Sequence, residues 1–489
     1  MKNITIVGGG ASAIALLSNL AEMPSNASAF GKPGSYTLRI IETAPRVGPG
    51  RAYRHLSEEM ILNTDPDTMG IRSKDEFKEW LLVRGHAVDP VPRRLFARYL
   101  NEKLEQSIVG MSRIGVRVEL VRAEVRGIKR HSEGYALLTD SQGLLQADIL
   151  VLAVGGGHGV PYECLRGSEQ CLTLDDLEDA SPALGAEAEI VVLGSSQSAI
   201  DAALFLSRTT SARITLASRG GGLPLIKGTP KAYTNQRVRP VHERLSLQQF
   251  MGLLEEELLL AEAYPSEPPR RPSTSSVLAS ISSKPFEEGF QEAHTFRLGW
   301  QAVMKNLTPH LQPIYENFSA EEKLKFVSTF FPSLRRLRSA IPLRNAEKLS
   351  RLINDKRVRV MGGVQDVQRD ARSERFVVTS SDARLESRFI VNATGLRYML
   401  HQSPLLSGLG FIRPNLLGGV KVDVRSMRVL DGLERPDPTC YCLGLLSYGD
   451  FLITNSMETC AAQARTAAGS ILRHLSSDDS SPLLSRWAS

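Results

Sequence analysis

The chain has 489 residues, 42% of them hydrophobic and 23% charged, with a formal charge of +6 from 59 basic and 53 acidic side chains. That length supplies two or three domains with a large core, and the composition is that of a globular enzyme, not of a disordered, fibrous or membrane-spanning chain. The basic excess is too thin over this length to demand nucleic acid and suits an anionic cofactor and a small-molecule substrate.

The five cysteines, Cys164, Cys171, Cys440, Cys442 and Cys460, show no C-x-x-C or C-x-x-x-x-C spacing, which argues against a disulfide framework and for a reducing, cytoplasmic setting. Residues 3–7 (NITIV) read as a short buried strand and residues 11–22 as an Ala- and Leu-rich helix. A second apolar strand, 37–42 (TLRIIE), follows a Gly/Ser/Pro-containing insertion at 24–35, so the chain opens with a β-α-β unit. Lys2 and the apolar stretch to Leu20 have the outline of a signal peptide, but Gly8, Gly9 and Gly10 break it where a signal peptide needs a helix.

The turn Gly8-Gly9-Gly10-Ala11-Ser12-Ala13 fits G-x-G-x-x-G/A between a strand and a helix. Gly8 permits the tight turn, Gly10 lets the backbone approach a pyrophosphate, and the small Ala13 lets helix and strand pack closely. The helix then offers its unpaired N–H groups to the phosphates. Glu42 ends the second strand, where a carboxylate can accept a ribose hydroxyl. Gly48-Pro49-Gly50-Arg51-Ala52-Tyr53 reads as a fixed turn that lets Arg51 meet a phosphate or a substrate anion; Leu62-Asn63-Thr64 and Met69-Gly70 follow it.

Residues 115–154 hold three strand-like runs, VRVELVRAEV, GYALLTD and ADILVLAV, the last ending in Gly155-Gly156-Gly157. Residues 357–395 behave alike, with VRVMGGVQDV, RFVVTSS and RFIVNATG. Each set reads as a β-meander closed by an apolar strand at a glycine turn, either as a weak internal repeat or as two unrelated meanders. Between them, EIVVL (189–193), a turn, a helix at 198–208 and RITLA (213–217) form a second β-α-β candidate. Its turn, Gly194-Ser195-Ser196-Gln197-Ser198-Ala199, departs from the strict pattern at Ser196, and a Ser-capped turn without a ligand is the alternative. The following strand ends in Ser218-Arg219. A carboxylate there would repel a 2′-phosphate, whereas Arg219 can pair with it through two hydrogen bonds, so the expected donor is NADPH rather than NADH. The alternative for Arg219 is a solvated surface arginine.

Residues 240–355 read as mainly helical, broken at 264–276 (YPSEPPRRPSTSS) by a Pro- and Ser-rich mobile loop. The run Arg335-Arg336-Leu337-Arg338 is a solvated helix face first and a docking surface for an anionic substrate or partner second. A last strand, CYCLGLL, is followed by the turn Gly449-Asp450, a helix at about 457–474 and a frayed tail at 476–489. Cys440 and Cys442 alternate on that strand as packing residues. The nine histidines lack metal-ligand spacing, so no metal site is expected, and His158 beside the glycine turn reads as structural. No G-x-S-x-G elbow and no apolar stretch long enough to span a membrane occurs.

These residues together resemble the flavin-dependent monooxygenases built from two dinucleotide-binding domains. GSSQSA is similar to the GSGQSA of ornithine and lysine N-hydroxylases. A further resemblance is to bacterial FAD/NAD(P)-binding proteins, which carry G-x-G-x-A-Y, an L-N-x-P/D segment, a long helical insert and a late A-T-G. Here these are Gly48 to Tyr53, Leu62 to Asp65, Trp300 to Leu349 and Ala393-Thr394-Gly395, which together span nearly the whole chain. Val154 to Gly157 stand where relatives often have a first A-T-G.

The resemblance implies an α/β fold with two Rossmann-like dinucleotide-binding domains, β-meanders and a mainly helical insert. It places the FAD pyrophosphate at Gly8, Gly10, Ser12 and Ala13, with Gly50 and Arg51 nearby, and the adenosine ribose at Glu42. It brings Asn63, Thr64 and Met69 toward the flavin and gives NADPH to Gly194–Ala199 and Arg219. Gly395 would mark the return to the FAD domain, and Gly449-Asp450 would precede a helix whose N-terminus points at the flavin. The expected domains are 1–157 (FAD, first part), 158–239 (NADPH), 240–355 (insert, substrate wall and lid) and 356–489 (meander and return to the FAD domain).

The expected activity is an FAD-dependent, NADPH-consuming monooxygenase that uses O2 to oxygenate a nitrogen or sulfur nucleophile, with neither nucleic acid nor membrane as a partner. The alternatives are an FAD oxidase or dehydrogenase, an NADPH reductase without oxygen insertion, and a non-catalytic FAD-binding partner protein.

Overall fold

The computed structural model describes the chain except residues 23–27, 44–46, 55–56, 59, 186, 239–243, 267–275, 398 and 480–489. Most of the loop expected at 264–276 and of the tail expected at 476–489 therefore lies outside the described residues, as does the side chain of His158. The chain divides into two compact units, one of residues 1–58, 64–157 and 397–489, the other of 59–63 and 158–396.

The first unit opens with β1 (Lys2–Val7), α1 (Ala11–Ala21) and β2 (Tyr36–Glu42), then α2 (Gly50–Tyr53), α3 (Glu76–Val83) and α4 (Arg93–Arg113). There follow β3 (Arg117–Arg122), β4 (Val125–His131), β5 (Gly134–Thr139), β6 (Leu144–Ala147) and β7 (Ile149–Leu152). In the second unit the main elements are β8 (Cys171–Leu172), β9 (Glu189–Leu193), α5 (Gln197–Thr209) and β10 (Arg213–Ala217). Its helical insert contains α6 (Leu247–Ala263), α7 (Gly299–Glu316), α8 (Phe331–Arg338) and α9 (Leu343–Asn354). The unit ends with β11 (Val358–Met361), β12 (Val364–Arg369), β13 (Phe376–Ser380), β14 (Arg384–Ser387) and β15 (Ile390–Asn392). The chain then completes the first unit with β16 (Arg428–Leu430), β17 (Pro436–Cys442) and α10 (Met457–Asp479).

The two units repeat one plan. The first sheet runs β16-β17-β7-β1-β2-β3 and the second β11-β10-β9-β15-β8, with β1 and β9 in corresponding places. β1 is parallel to β2 and β7, and β9 is parallel to β10 and β15. Such strands are covered on both faces, which is why ILVL of β7 and IVVL of β9 are apolar at every position and buried. Antiparallel meanders, β4-β5-β6 and β12-β13-β14, fill the same interval in each unit, and both carry a register shift in the first strand, at Val125/Gly127 and Val364/Asp366. The internal repeat is therefore real in topology.

The structure divides two runs that the sequence presents as single strands. VRVELVRAEV breaks after Arg122 and VRVMGGVQDV at Gly362-Gly363, because the front half of each belongs to the parallel sheet and the back half to the meander. The last helix also runs past 474 to Asp479.

The insert has a core of its own, in which the rings of Phe250, Tyr315, Phe318 and Phe326 pack with centroids 5.6–6.2 Å apart. Buried Glu257 on α6 ties the segment before the insert to it by accepting hydrogen bonds from the Tyr233 hydroxyl and the amides of Gln236, Arg237 and Val238.

Candidate dinucleotide sites

The first glycine turn is fixed by contacts that only glycine allows. Gly8 has φ +101°, and a Cβ there would lie 2.3 Å from the carbonyl oxygen of Ala153 at the end of β7. Its amide donates to Ile41 (2.8 Å), and Ala153 in turn donates to Val7 (2.8 Å), so β1, β2 and β7 converge on this residue. Gly10 is different. Its φ of −84° suits any residue, and a Cβ would meet only the Cα of Gly50, at 3.5 Å. The fold does not demand glycine there, and the bare backbone is open to an approaching group. α1 starts at this point with no side-chain cap, so its first amides are not satisfied by a capping side chain.

The Gly48–Tyr53 segment walls the turn. Gly48 donates to the Gly9 carbonyl (2.8 Å), and Gly50, at φ +62°, lies against Gly10. Glu42 accepts from the Gly9 amide at 2.7 Å through one carboxylate oxygen and from the Thr43 hydroxyl at 3.1 Å through the other. These residues fit an adenine dinucleotide diphosphate: an uncapped helix start, an open backbone at Gly10 and a carboxylate held at the end of the second strand. Ser12 points elsewhere. It lies beside the buried Cys460 thiol and against Gly444, so its side chain serves the packing of α1 on α10.

The second turn reproduces the first almost bond for bond. Gly194 has φ +119°, a Cβ there would lie 2.6 Å from the carbonyl oxygen of Ala393, and its amide donates to Ala217 (2.7 Å). Ala393-Thr394-Gly395 thus stands to Gly194 as Ala153-Val154-Gly155 stands to Gly8, with Gly155 and Gly395 both at positive φ. Ser196 has φ −93° and ψ −168°, close to the −84° and −166° of Gly10, and α5 likewise lacks a side-chain cap. Serine is therefore no strain on the backbone at this position, and Ser196 is exposed at the mouth of its helix.

The strand register matches Val7 with Ile41 and Leu193 with Ala217, so Ser218 occupies the place of Glu42. The carboxylate-to-amide contact of the first turn is replaced by a bond from the Ser195 hydroxyl to that of Ser218 (3.1 Å); Ser195 also reaches the Gly222 carbonyl (2.8 Å). Arg219 follows, exposed. Burial pushes the Tyr162 phenol up, against the pull of the neighbouring Arg219 guanidinium.

Residues 5–157 match the FAD-NAD(P)-binding family. No curated protein matches the sequence. Among solved structures, the ornithine N-hydroxylase of Kutzneria sp. 744 is similar with a TM-score of 0.62 at 16% identity, over 97% of this chain and 99% of that one. The ornithine hydroxylase of Pseudomonas aeruginosa gives 0.61 at 13% identity, over 97% and 99%. The FAD-bound cadaverine monooxygenase of the desferrioxamine pathway from Erwinia amylovora gives 0.51 at 13% identity, over 96% and 94%. These likenesses establish the fold alone: an α/β chain with parallel sheets arranged as in enzymes of two dinucleotide-binding domains.

Several expected site residues have other partners. Gln197 does not present a free amide to a nucleotide. Its Oε1 accepts from Asn63 Nδ2 (2.7 Å), and its Nε2 donates to the carbonyls of Ser339 (2.9 Å) and Ala340 (3.3 Å). Asn63, expected beside the flavin, is thus joined to a residue expected beside NADPH. Thr64 is half-buried, and Met69 is buried at the end of a short 3-10 turn, Pro66–Thr68. Gly449 has φ +107° and lies against Asn415, while Asp450 accepts from the Val422 amide (2.8 Å) and Asn415 Nδ2 (3.3 Å). The helix after this pair begins only at Met457.

Among the described residues no group of histidine, cysteine and acidic side chains could hold a metal, and no helix is long and apolar enough to cross a membrane. Burial pushes the thiols of Cys440 and Cys442 well up, which keeps both protonated as packing groups.

Ser218, which ends the strand after the second turn, is the structural counterpart of Glu42. Arg336 reaches back from the insert to the loop after β10, a contact that no local signal in the sequence announces.

Proposed function

We propose that this chain is an FAD-dependent, NADPH-consuming monooxygenase that transfers one oxygen atom of O2 to a nitrogen or sulfur nucleophile of a small molecule. The reading is carried by one observation: the likeness to N-hydroxylating enzymes runs through the insert as well as both nucleotide folds, over 97% of this chain. The reductase alternative that works through a cysteine pair lacks its C-x-x-C, and Cys440 and Cys442 are buried on a central strand.

Bound FAD would supply hydride acceptance from NADPH and reaction with O2. The chain's own part is binding and placement. Gly8–Ala13 and the start of α1 hold the FAD diphosphate, with Gly50 and Arg51 beside them and Glu42 on the ribose. Asn63, Thr64, Met69, Gly395, Gly449 and Asp450 belong to the flavin side of this proposal. Gly194–Ser198 hold the NADPH diphosphate through backbone amides, while Gln197 fixes Asn63 and the 339–340 segment rather than touching the nucleotide. Ser218 in place of a carboxylate, followed by Arg219, favours a 2′-phosphate. The insert at 240–355 forms the substrate wall, being the part that neither nucleotide fold requires.

Mixing the FAD-loaded protein with NADPH tests this directly. NADPH should bleach the flavin anaerobically, and in air its oxidation should consume O2 and, with the right amine or thioether, yield an oxygenated product. Bleaching without O2 uptake would defeat the monooxygenase. Ser196 in place of glycine favours one other reading: a second turn that holds nothing, in an oxidase. In that case a substrate, and not NADPH, bleaches the flavin.

A further inference from the structure

We propose that Arg336, carried by the helical insert, is the second cation of the nicotinamide-dinucleotide site and grips the phosphate monoester on the adenosine ribose of NADPH. This rests on the reading of the second turn as an NADPH site. The basic run at 335–338 reads in sequence as a solvated helix face, and Arg335 is indeed exposed. Arg336 is not part of that face. α8 is anchored through Leu334 and Leu337, both buried, and this turns Arg336 toward the loop that follows β10.

The guanidinium lies over Gly222. A Cβ at that glycine would find Arg336 Nη1 and Nη2 at 3.4 Å and Cζ at 3.6 Å as its nearest neighbours. Nη2 donates to the carbonyl of Leu223 (2.8 Å), which spends one of five donors and fixes the plane of the fork. Among the described residues no carboxylate pairs with it, and burial alone pulls its pKa down. A half-buried cation without a counter-ion is costly, and an incoming dianion offsets that cost.

The same loop carries Arg219, and its Gly222 carbonyl holds Ser195 of the second turn. Gly220 and Gly222 are exposed and offer no side chain that would block an approaching group, and Ser218 has removed the carboxylate that stands here in the first unit. A glycine-rich loop that carries one arginine, Arg219, and is covered by the guanidinium of another, Arg336, suits a phosphate monoester, with its three terminal oxygens, better than a ribose hydroxyl. The insert thereby contributes to the choice of electron donor.

The test uses the full-length, FAD-loaded protein and compares NADP+ with NAD+ by titration calorimetry. Arg336→Met should weaken NADP+ binding roughly 10- to 100-fold, the usual worth of a hydrogen bond to a charged group, and leave NAD+ within about twofold. In 31P NMR the 2′-phosphate of bound NADP+ should titrate at lower pH in the native protein than in Arg336→Met, because the guanidinium favours the dianion. Unchanged NADP+ affinity, or equal losses for both dinucleotides, would overturn the assignment. Should Arg336→Met fail to retain FAD or to fold, Arg336→Lys keeps the packed stem; it should show the same split at smaller size, and parallel behaviour overturns the proposal again. Arg219→Ala separates the two levels of inference. If that variant loses the NADP+ preference while Arg336→Met keeps it, only Arg336 is misassigned. If the native protein shows no preference for NADP+, the second turn is not an NADPH site and the role of Arg336 falls with it.

Discussion

Gly8 and Gly10 look interchangeable in the motif, yet they are glycine for different reasons. At Gly8 both backbone and space exclude a side chain, so Gly8→Ala should cost about 3 kcal/mol or more through strain and overpacking. At Gly10 the protein has room, so Gly10→Ala should change stability by less than about 1 kcal/mol. Gly10→Val should leave a folded but colourless protein, because its branched side chain fills the space of the diphosphate. Thermal melts with flavin absorbance distinguish the two: a yellow, stable Gly10→Val protein would refute the first site. Ser196 sits in the backbone conformation of Gly10, so its hydroxyl tests ligand approach and not folding.

At the level of elements, α3 and α4 are held by a half-buried charge. Glu76 accepts from Lys103 (2.5 Å), the Tyr99 hydroxyl (2.7 Å) and the Arg72 amide (3.1 Å). Burial alone would raise its pKa, but the hydrogen bonds from Lys103 and Tyr99, with the nearby cations, outweigh it and hold the carboxyl below its ordinary value. A depressed carboxylate contributes stability above its unfolded pKa of about 4.3, and that contribution is lost as pH falls through the lower folded value. The melting temperature of the native protein should therefore drop more steeply below about pH 4.5 than that of Glu76→Gln, which should be less stable at neutral pH and flatter in acid. Identical acid limbs would show that Glu76 carries no such linkage. The insert relies on the same device, with Glu257 taking its hydrogen bonds from the 233–238 segment.

For the molecule as a whole, the repeat gives each unit its own uncapped helix start and its own glycine pair, Gly8 with Gly155 and Gly194 with Gly395. Ligands that bind the native state protect what they touch. Hydrogen exchange should therefore show FAD slowing amides at 8–14 and 48–53, and NADP+ slowing those at 194–200 and 218–223. Protection of both sets by FAD alone, with none from NADP+, would favour the oxidase.

The sequence alone determined the alternation of strands and helices, both glycine turns, the two meanders and the residues closing the second strands, because each is a local pattern of apolar period, glycine and charge. Only the tertiary structure decided which glycines the fold itself requires, that Gln197 is spent on Asn63 and the 339–340 carbonyls, and that Arg336 leaves its basic run to lie over Gly222. Those facts depend on contacts between residues far apart in the chain, such as Arg336 and Leu223 or Gly194 and Ala393, and no window of sequence contains both partners.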